Sequence, residues 1–291
     1  MTNPTIVSRD FSSLSASARF LLLAKGYTNI PFARRVAELL EYPKPYVPDF
    51  QKKNMTLAAA AFHFESRYLS VDQLLKDLPV KNILELSSGY SFRSLDFARR
   101  EGVHYIDTDL PEIISTKRKF AATLEEEGAG VKGTLELLPL NVLDEKSFRE
   151  IAGHFPQGEL AVVNEGLLTY LNKEEQEKVC STIHGVLRER GGWWITGDIY
   201  LRNKQPKLQF QHPDEMKKFY MRHDTESNSF VSFEEAARFF RGMGFVLDRE
   251  ASVKRSEVSA LKYFMRSVTL WQLLRFMWVG TLQATWRLKA V

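Results

Sequence analysis

The feature that most constrains this chain is a change of texture at Lys81, after which short apolar runs alternate with longer amphipathic stretches. That rhythm belongs to strands joined by crossover helices in a parallel sheet. It predicts strands at Asn82 to Leu86, Val103 to Asp107, Leu135 to Leu140, Leu160 to Asn164, Trp193 to Ile199, Phe245 to Glu250 and roughly Ala260 to Met265. Helices are expected near Phe92 to Arg100, Glu112 to Glu127, Lys146 to His154, Lys173 to Arg190 and Phe233 to Met243. In Lys173 to Arg190, Val179, Ile183 and Val186 share one face and charged residues occupy the other. No helix separates the last two strands, so they are expected to form an antiparallel edge hairpin on a seven-stranded, mostly parallel α/β sheet.

Before Lys81 the pattern is helical. SLSASARFLLLAKG, NIPFARRVAELL and MTLAAAAFHFESRYLSVDQLLKDL carry apolar residues at three- and four-residue spacing. Ser13 or Ser15 suits the N-cap of the first helix and Gly26 its end, and the prolines of YPKPYVPDF mark a connector. The chain therefore divides into an N-terminal helical cap (1–79), a sheet domain (80–267) with an insertion at 200–231, and a C-terminal amphipathic helix (268–291). In that last segment Trp271, Leu274, Trp278, Leu282 and Trp286 recur at near-helical spacing. It reads as a helix docked on the domain or on a second copy in a homodimer. A helix lying on a membrane surface is the rival, because Arg275, Arg287 and Lys289 accompany the tryptophans.

Composition excludes several classes. With 44% apolar and 26% charged residues the chain can bury a full core. Its 40 Lys+Arg nearly balance 36 Asp+Glu and are scattered among them, so nucleic acid is not an expected partner. Cys180 is the only cysteine, which rules out an internal disulfide, a Cys-rich zinc site and a Cys-pair redox site, and fits a cytoplasmic setting. The opening MTNPTIVSRDFSSLS lacks the basic start and apolar run of a secretory signal, and no stretch of about 18 uninterrupted apolar residues occurs. His63, His104, His154 and His184 show no metal-ligand spacing, so no metal is expected.

In an open parallel sheet, ligands collect outside the carboxyl ends of the strands where strand order reverses. The first strand ends in Glu85, Ser87, Ser88 and Gly89, small residues that let a ligand approach the backbone, though an ordinary strand-to-helix turn reads the same way. Asp107 and Asp109 lie 22 and 24 residues beyond Glu85, and a carboxylate about 20 residues on is where a ribose diol is held. A helix-capping Asp is the alternative. Asn141 could accept from an exocyclic amine with Val142 stacking on the ring, or simply make an Asx-turn. Glu165, in the segment NEGLLTYL, is a carboxylate beside the cleft that calls for a cationic partner.

ILELSSGYSFRSLDFAR, YIDTDLPEIISTKR and NEGLLTYL, in that order and spacing, resemble class I S-adenosylmethionine-dependent methyltransferases. More narrowly they resemble the leucine carboxyl methyltransferase family with its bacterial polyketide O-methyltransferase relatives, over roughly residues 60 to 200. The resemblance implies a Rossmann-like fold with S-adenosylmethionine as cofactor. By residue-by-residue carry-over, Arg67 would hold the methionine carboxylate, Ser87 and Gly89 would line the methionine and ribose, and Glu85 would belong to the same cofactor-binding group. Asp109 would take the ribose hydroxyls, Asn141 and Val142 the adenine, and Glu165 would lie near the cofactor's amino end. Two positions depart from the family pattern: Ser87 stands where a glycine is usual, and Asn141 where an Asp is common.

Methyl transfer from a sulfonium asks mainly for alignment and exclusion of water. A carboxylate acceptor needs no base at neutral pH, whereas a phenol with a pKa of about 10 would benefit from one. The expected function is O-methylation of a small-molecule carboxylate. Methylation of a phenol, a carbon or a nitrogen, and a catalytically inactive cofactor-binding scaffold, are the alternatives. The insertion supplies Tyr200, Arg202, His212, Arg222 and His223, of which Tyr200, Arg222 and His223 are the candidates for orienting the acceptor or acting as a base. Tyr170 is a further residue that either faces the pocket or packs in the core.

Overall fold

Strand β1 (Asn82–Leu86) is buried along its whole length, and the strands on either side of it are parallel to it. The computed structural model describes residues 14–202, 227–279 and 282–291 of the chain. Its seven strands are ordered β3-β2-β1-β4-β5-β7-β6, with β2 (His104–Asp109), β3 (Thr134–Pro139), β4 (Leu160–Asn164), β5 (Gly192–Tyr200), β6 (Phe245–Glu250) and β7 (Gln283–Ala290). β1 to β5 are parallel, and β7 runs antiparallel to both β5 and β6. The order reverses between β1 and β4, so the crossovers leave a crevice at the carboxyl ends of those two strands.

Both faces of the sheet are covered. On one face α3 (Met55–Lys76) lays Val71, Leu74 and Leu75 against Ile83, Tyr105, Val163 and Ile195, helped by Phe97 from α4 (Arg93–Ala98). On the other, α6 (Glu145–Ala152), α7 (Lys173–Arg190) and α8 (Phe233–Gly242) pack on Leu84, Val162, Trp194 and Trp286. α7 starts on a reciprocal capping box between Asn172 and Glu175, which satisfies two otherwise unpaired N–H groups. α5 (Pro111–Glu126) opens with its proline in the first turn, where no intrahelical donor is lost. Ahead of the sheet, α1 (Leu14–Lys25) and α2 (Ala33–Glu41) pack with α4 and α5 through Leu22, Val36, Leu95 and Leu124.

The strand expected at Ala260 to Met265 is instead helix α9 (Leu261–Ser267). In this helix Tyr263 and Phe264 are both buried while Met265 is 46% exposed. The helix start is anchored from a distance: Glu65 of α3 accepts the Ala260 N–H at 2.8 Å and the Ser259 hydroxyl at 2.6 Å. The single C-terminal helix expected over 268–291 is also corrected. It holds for α10 (Leu270–Val279), but Gln283–Ala290 forms β7, inserted between β5 and β6. Ala284, Trp286 and Leu288 are buried on one face and Thr285 on the other, and Trp286 donates its Nε1–H to Glu250 at 3.0 Å. The antiparallel edge is thus real, but β6 pairs with the end of the chain rather than with the segment that follows it. Most of the 200–231 insertion, with His212, Arg222 and His223, lies outside the described residues.

Two tryptophans of the C-terminal segment therefore have opposite environments, Trp286 at 2% exposure and Trp271 at 82%. Trp286→Ala is expected to lower unfolding stability by about 3–5 kcal/mol. Trp271→Ala is expected to change it by no more than about 0.5 kcal/mol. Urea denaturation of the two variants beside the parent measures both.

Candidate active site

A cavity of about 970 Å³, its open mouth included, lies at the carboxyl ends of β1, β2, β3 and β4. Ser87 and Gly89 line it after β1, Asp109 ends β2, Asn141 and Val142 follow β3, and Glu165 and Gly166 follow β4. Ala18, Leu22 and Lys25 of α1 and Arg67 of α3 complete its walls, and Tyr170 also lines it. The structure therefore brings Arg67, Ser87, Gly89, Asp109, Asn141, Val142 and Glu165 together around one space. Glu85 does not reach it. Its carboxylate is buried behind the crevice, accepting from Arg93 Nη1 at 2.6 Å and from the Tyr105 hydroxyl at 2.8 Å.

The turn after β1 is shaped by Ser87 and Gly89, both at positive φ (51° and 56°). A side chain in the left-handed region carries a strain of roughly 1–2 kcal/mol, which is a physical reason for a glycine at the position Ser87 fills. Asp109 organises the same turn from β2. One carboxylate oxygen accepts the Gly89 N–H and the other its neighbour Leu110 N–H, each at 2.7 Å. Burial pushes its pKa up against the pull of these two N–H groups. A carboxylate has about four lone-pair sites, so two such bonds leave acceptor capacity for a ligand. Asp107 is separate from this. It is fully buried, bonded to Ser88 and Ser94 and paired with Lys117 at 2.6 Å. Asn141 makes the Asx-turn, its Oδ1 accepting the Leu143 N–H at 3.1 Å, and still lines the cavity beside buried Val142.

At the opposite wall Glu165 is surrounded by cations. Oε1 accepts from Lys25 at 2.8 Å and from Arg67 at 3.3 Å, and Oε2 accepts from Arg93 at 2.7 Å. Burial alone would raise the pKa of this carboxyl, but Lys25, Arg67 and Arg93 together hold it well below the usual range. Burial pulls the Lys25 ammonium down, with Glu165 opposing. The loop carrying Glu165 hangs on Asp198 of β5, whose carboxylate accepts the N–H groups of Gly166, Leu167 and Leu168 and the Asn164 amide. Gly197 gives Arg67 its place, since a Cβ there would sit 3.2 Å from Arg67 Cγ.

Tyr200, at the tip of β5, accepts from Arg67 Nη1 at 2.8 Å and lies 2.8 Å from His63 Nε2. Burial pushes the tyrosine pKa up to about 12, against Arg67, and burial with Arg67 brings His63 down to about 3. Tyr200 is therefore tied to the cavity through Arg67. Arg222 and His223 lie outside the described residues. Among the described residues no group of three or more His, Cys, Asp or Glu side chains is placed to hold a metal ion. Sequence reasoning missed Lys25 and Asp198. The signal for Lys25 was a lysine closing the last turn of a helix just after the apolar run FLLLA; for Asp198, an acid near the end of a buried strand.

The walls offer a carboxylate with spare acceptor capacity at Asp109, an amide and an apolar side chain at Asn141 and Val142, and opposite charges at Lys25, Arg67 and Glu165. The family model for leucine carboxyl methyltransferase matches residues 18–184. No curated protein matches the sequence. Among solved structures, a duf574 family protein from Streptomyces avermitilis is similar, with 12% identity, coverage of 94% of this chain and 97% of that one, and a TM-score of 0.55. An O-methyltransferase family protein from Burkholderia thailandensis shares 17% identity over 98% of this chain and 74% of its own, with a TM-score of 0.47. Magnesium protoporphyrin IX methyltransferase from Synechocystis PCC 6803, solved with bound SAH, shares 12% identity over 93% and 99%, with a TM-score of 0.48. The likeness to the Streptomyces protein is one of fold.

Because the Glu165 carboxyl is depressed in the folded protein, it releases its proton more readily there than in the unfolded chain. Its contribution to stability is fully present above the ordinary value of 4.5 and is lost as pH falls below that value. Glu165→Gln is expected to lower stability at pH 7 by about 3–5 kcal/mol, having left buried cations short of a partner. Its stability should also fall less steeply than the parent's below about pH 5. Urea midpoints measured for both proteins from neutral pH downward test the two statements together.

Proposed function

The chain belongs to the leucine carboxyl methyltransferase family, and on that premise we propose that it moves the methyl group of S-adenosylmethionine to a carboxylate oxygen of a small molecule. The observation that carries this reading is the pairing of Asp109 at one wall of the cavity with the Lys25–Arg67–Glu165 cluster at the other. The donor set fits the cofactor. Asp109 would accept from the ribose hydroxyls, and Asn141 and Val142 would meet the adenine edge and face. Arg67 would take the α-carboxylate, with Lys25 held beside it on Glu165, and Glu165 would take the ammonium. A zwitterion has both charges met there without a burial of unpaired charge.

When bound, S-adenosylmethionine supplies a methyl group already activated by the positive sulfur. The protein's own part is positional. Lys25 and Arg67 fix the amino-acid end, Asp109 fixes the sugar, and α1 closes over the crevice with Leu21 and Leu22 so that water is kept from the transfer. Tyr200 and His63 favour an acceptor that arrives ionised. A hydroxyl raised to about 12 and an imidazole lowered to about 3 are both poorly matched to proton transfer at neutral pH, and a carboxylate asks for none.

Methyl-labelled S-adenosylmethionine offered with a panel of carboxylic acids should give a product that releases labelled methanol on mild base treatment. A base-stable product would assign the methyl to a phenol, carbon or nitrogen, and stabilisation by the cofactor with no turnover would assign a scaffold role. Asp109→Ala is expected to weaken cofactor binding by about 1–3 kcal/mol. Calorimetry on the folded variant checks this, and unchanged affinity would remove Asp109 from the site.

A further inference from the structure

The first turns of helix α10 present apolar residues to water. Leu273 packs inward on the cluster of Ala58, Ala59, Tyr263 and Phe264, yet Leu270 (72% exposed), Trp271 (82%) and Leu274 (49%) face out. These three share one face of the helix, at spacings of one and four. Met265 on α9, 46% exposed, stands just before them in the chain. A surface helix ordinarily turns such side chains to the core and its polar ones to solvent.

The surroundings of this ridge are basic. Lys262 and Arg266 of α9 are exposed, as are Lys52 and Lys53 in the loop that borders it. That loop is joined to α9 by the Tyr263 hydroxyl on the Lys52 carbonyl at 3.2 Å, by Arg266 on Gln51 at 3.2 Å, and by the Phe50 and Tyr263 rings at 5.6 Å. The acid of the same loop, Asp49, already accepts the N–H groups of Gln51 and Lys52. Shortly after α10 the chain enters β7 at Gln283, opposite Tyr200, so the ridge lies toward the end of the sheet that carries the cavity.

We propose that the outward face of α10, with Met265 of α9 and the rim of Lys52, Lys53, Lys262 and Arg266, is a docking surface for an anionic lipid bilayer. An exposed tryptophan among leucines, flanked by basic residues, matches the apolar–water boundary of a membrane, where the indole sits at headgroup level. Each basic residue close to an anionic surface raises partitioning by roughly fivefold. A second copy of the chain fits less well. A symmetric contact through this face would set the same lysines and arginines against each other, and lysine is depleted in protein interfaces. No described helix is long and apolar enough to cross a membrane, so contact would be peripheral.

The test is co-sedimentation of the full chain with vesicles of pure phosphatidylcholine and of phosphatidylcholine containing phosphatidylglycerol. The expected result is binding that requires phosphatidylglycerol and weakens with salt. It should fall tenfold or more in the Trp271→Ser/Leu274→Ser variant, and by a comparable factor in Lys262→Glu/Arg266→Glu. All four side chains are exposed, and unchanged thermal melting of both variants confirms that folding is retained. Equal sedimentation of parent and variants, or no preference for the anionic vesicles, would overturn the proposal. So would a parent that dimerises through this face, becoming monomeric in the Trp271/Leu274 variant, while ignoring vesicles.

Discussion

The site depends first on one fully buried guanidinium. Arg93, in the first turn of α4, sends its Nε to Asp72 of α3 at 2.8 Å, Nη1 to Glu85 of β1 at 2.6 Å and Nη2 to Glu165 after β4 at 2.7 Å. Its plane also rests 4.1 Å from the centre of the Tyr68 ring. Such an ion cluster adds little net stability over an apolar substitute, because desolvation consumes most of the Coulombic gain. What it does supply is geometry. A buried guanidinium without all its partners is so unfavourable that α3, β1 and the β4 loop are held in one arrangement. Arg67 precedes Asp72 on α3 by little more than a helical turn, so fixing Asp72 also fixes where Arg67 can reach.

The loops at the strand tips are held by the same device on a smaller scale, with carboxylates gathering backbone N–H groups. Asp109 takes those of Gly89 and Leu110, and Asp198 those of Gly166, Leu167 and Leu168. The turns after β1 and β4 are thereby tied to a neighbouring strand, which keeps donors and acceptors in position before any ligand arrives. The strain at Ser87 is tolerable in this setting, since Gly89 two residues on is anchored to β2 and Ser88 bonds the Asp107 carboxylate. Polar groups that point away from the cavity thus decide how well those that point into it are aimed.

The parts of this architecture legible in the sequence are those governed by local periodicity. β1, β4, β6 and α7 lie where the short apolar runs and the 3.6-residue repeat put them, and the strand tips named Ser87, Gly89, Asp109, Asn141 and Glu165 as neighbours. Where a distant partner decides, reading along the chain fails. QATWRLKA carries both a helical stripe shared with Trp271 and an alternation of Ala284, Trp286 and Leu288, and the open ladders of β5 and β6 choose the second. LKYFMRS is apolar enough for a strand, but it folds as a helix whose lead-in, Ser259 and Ala260, is held by Glu65. Glu85 sits at a strand tip as a cofactor ligand would, yet a positive charge eight residues on claims it. Lys25 becomes a wall of the cavity only once α1 has folded across the tip of β4.

The bond lengths around Glu165 distinguish what is fixed from what can exchange. Its contacts with Lys25 and Arg93, at 2.8 and 2.7 Å, are tight, whereas both contacts from Arg67 are 3.3 Å. Arg67 is meanwhile gripped at its other end by Tyr200 at 2.8 Å, which is steadied by His63. On the proposed reading, a ligand carboxylate would take the two more loosely held nitrogens of Arg67 without disturbing that grip. Glu165 would keep two partners, so its charge would stay compensated while one edge was freed for an ammonium. The chain of bonds running from His63 through Tyr200, Arg67, Glu165 and Arg93 to Glu85 is weakest at the link a zwitterionic ligand would replace.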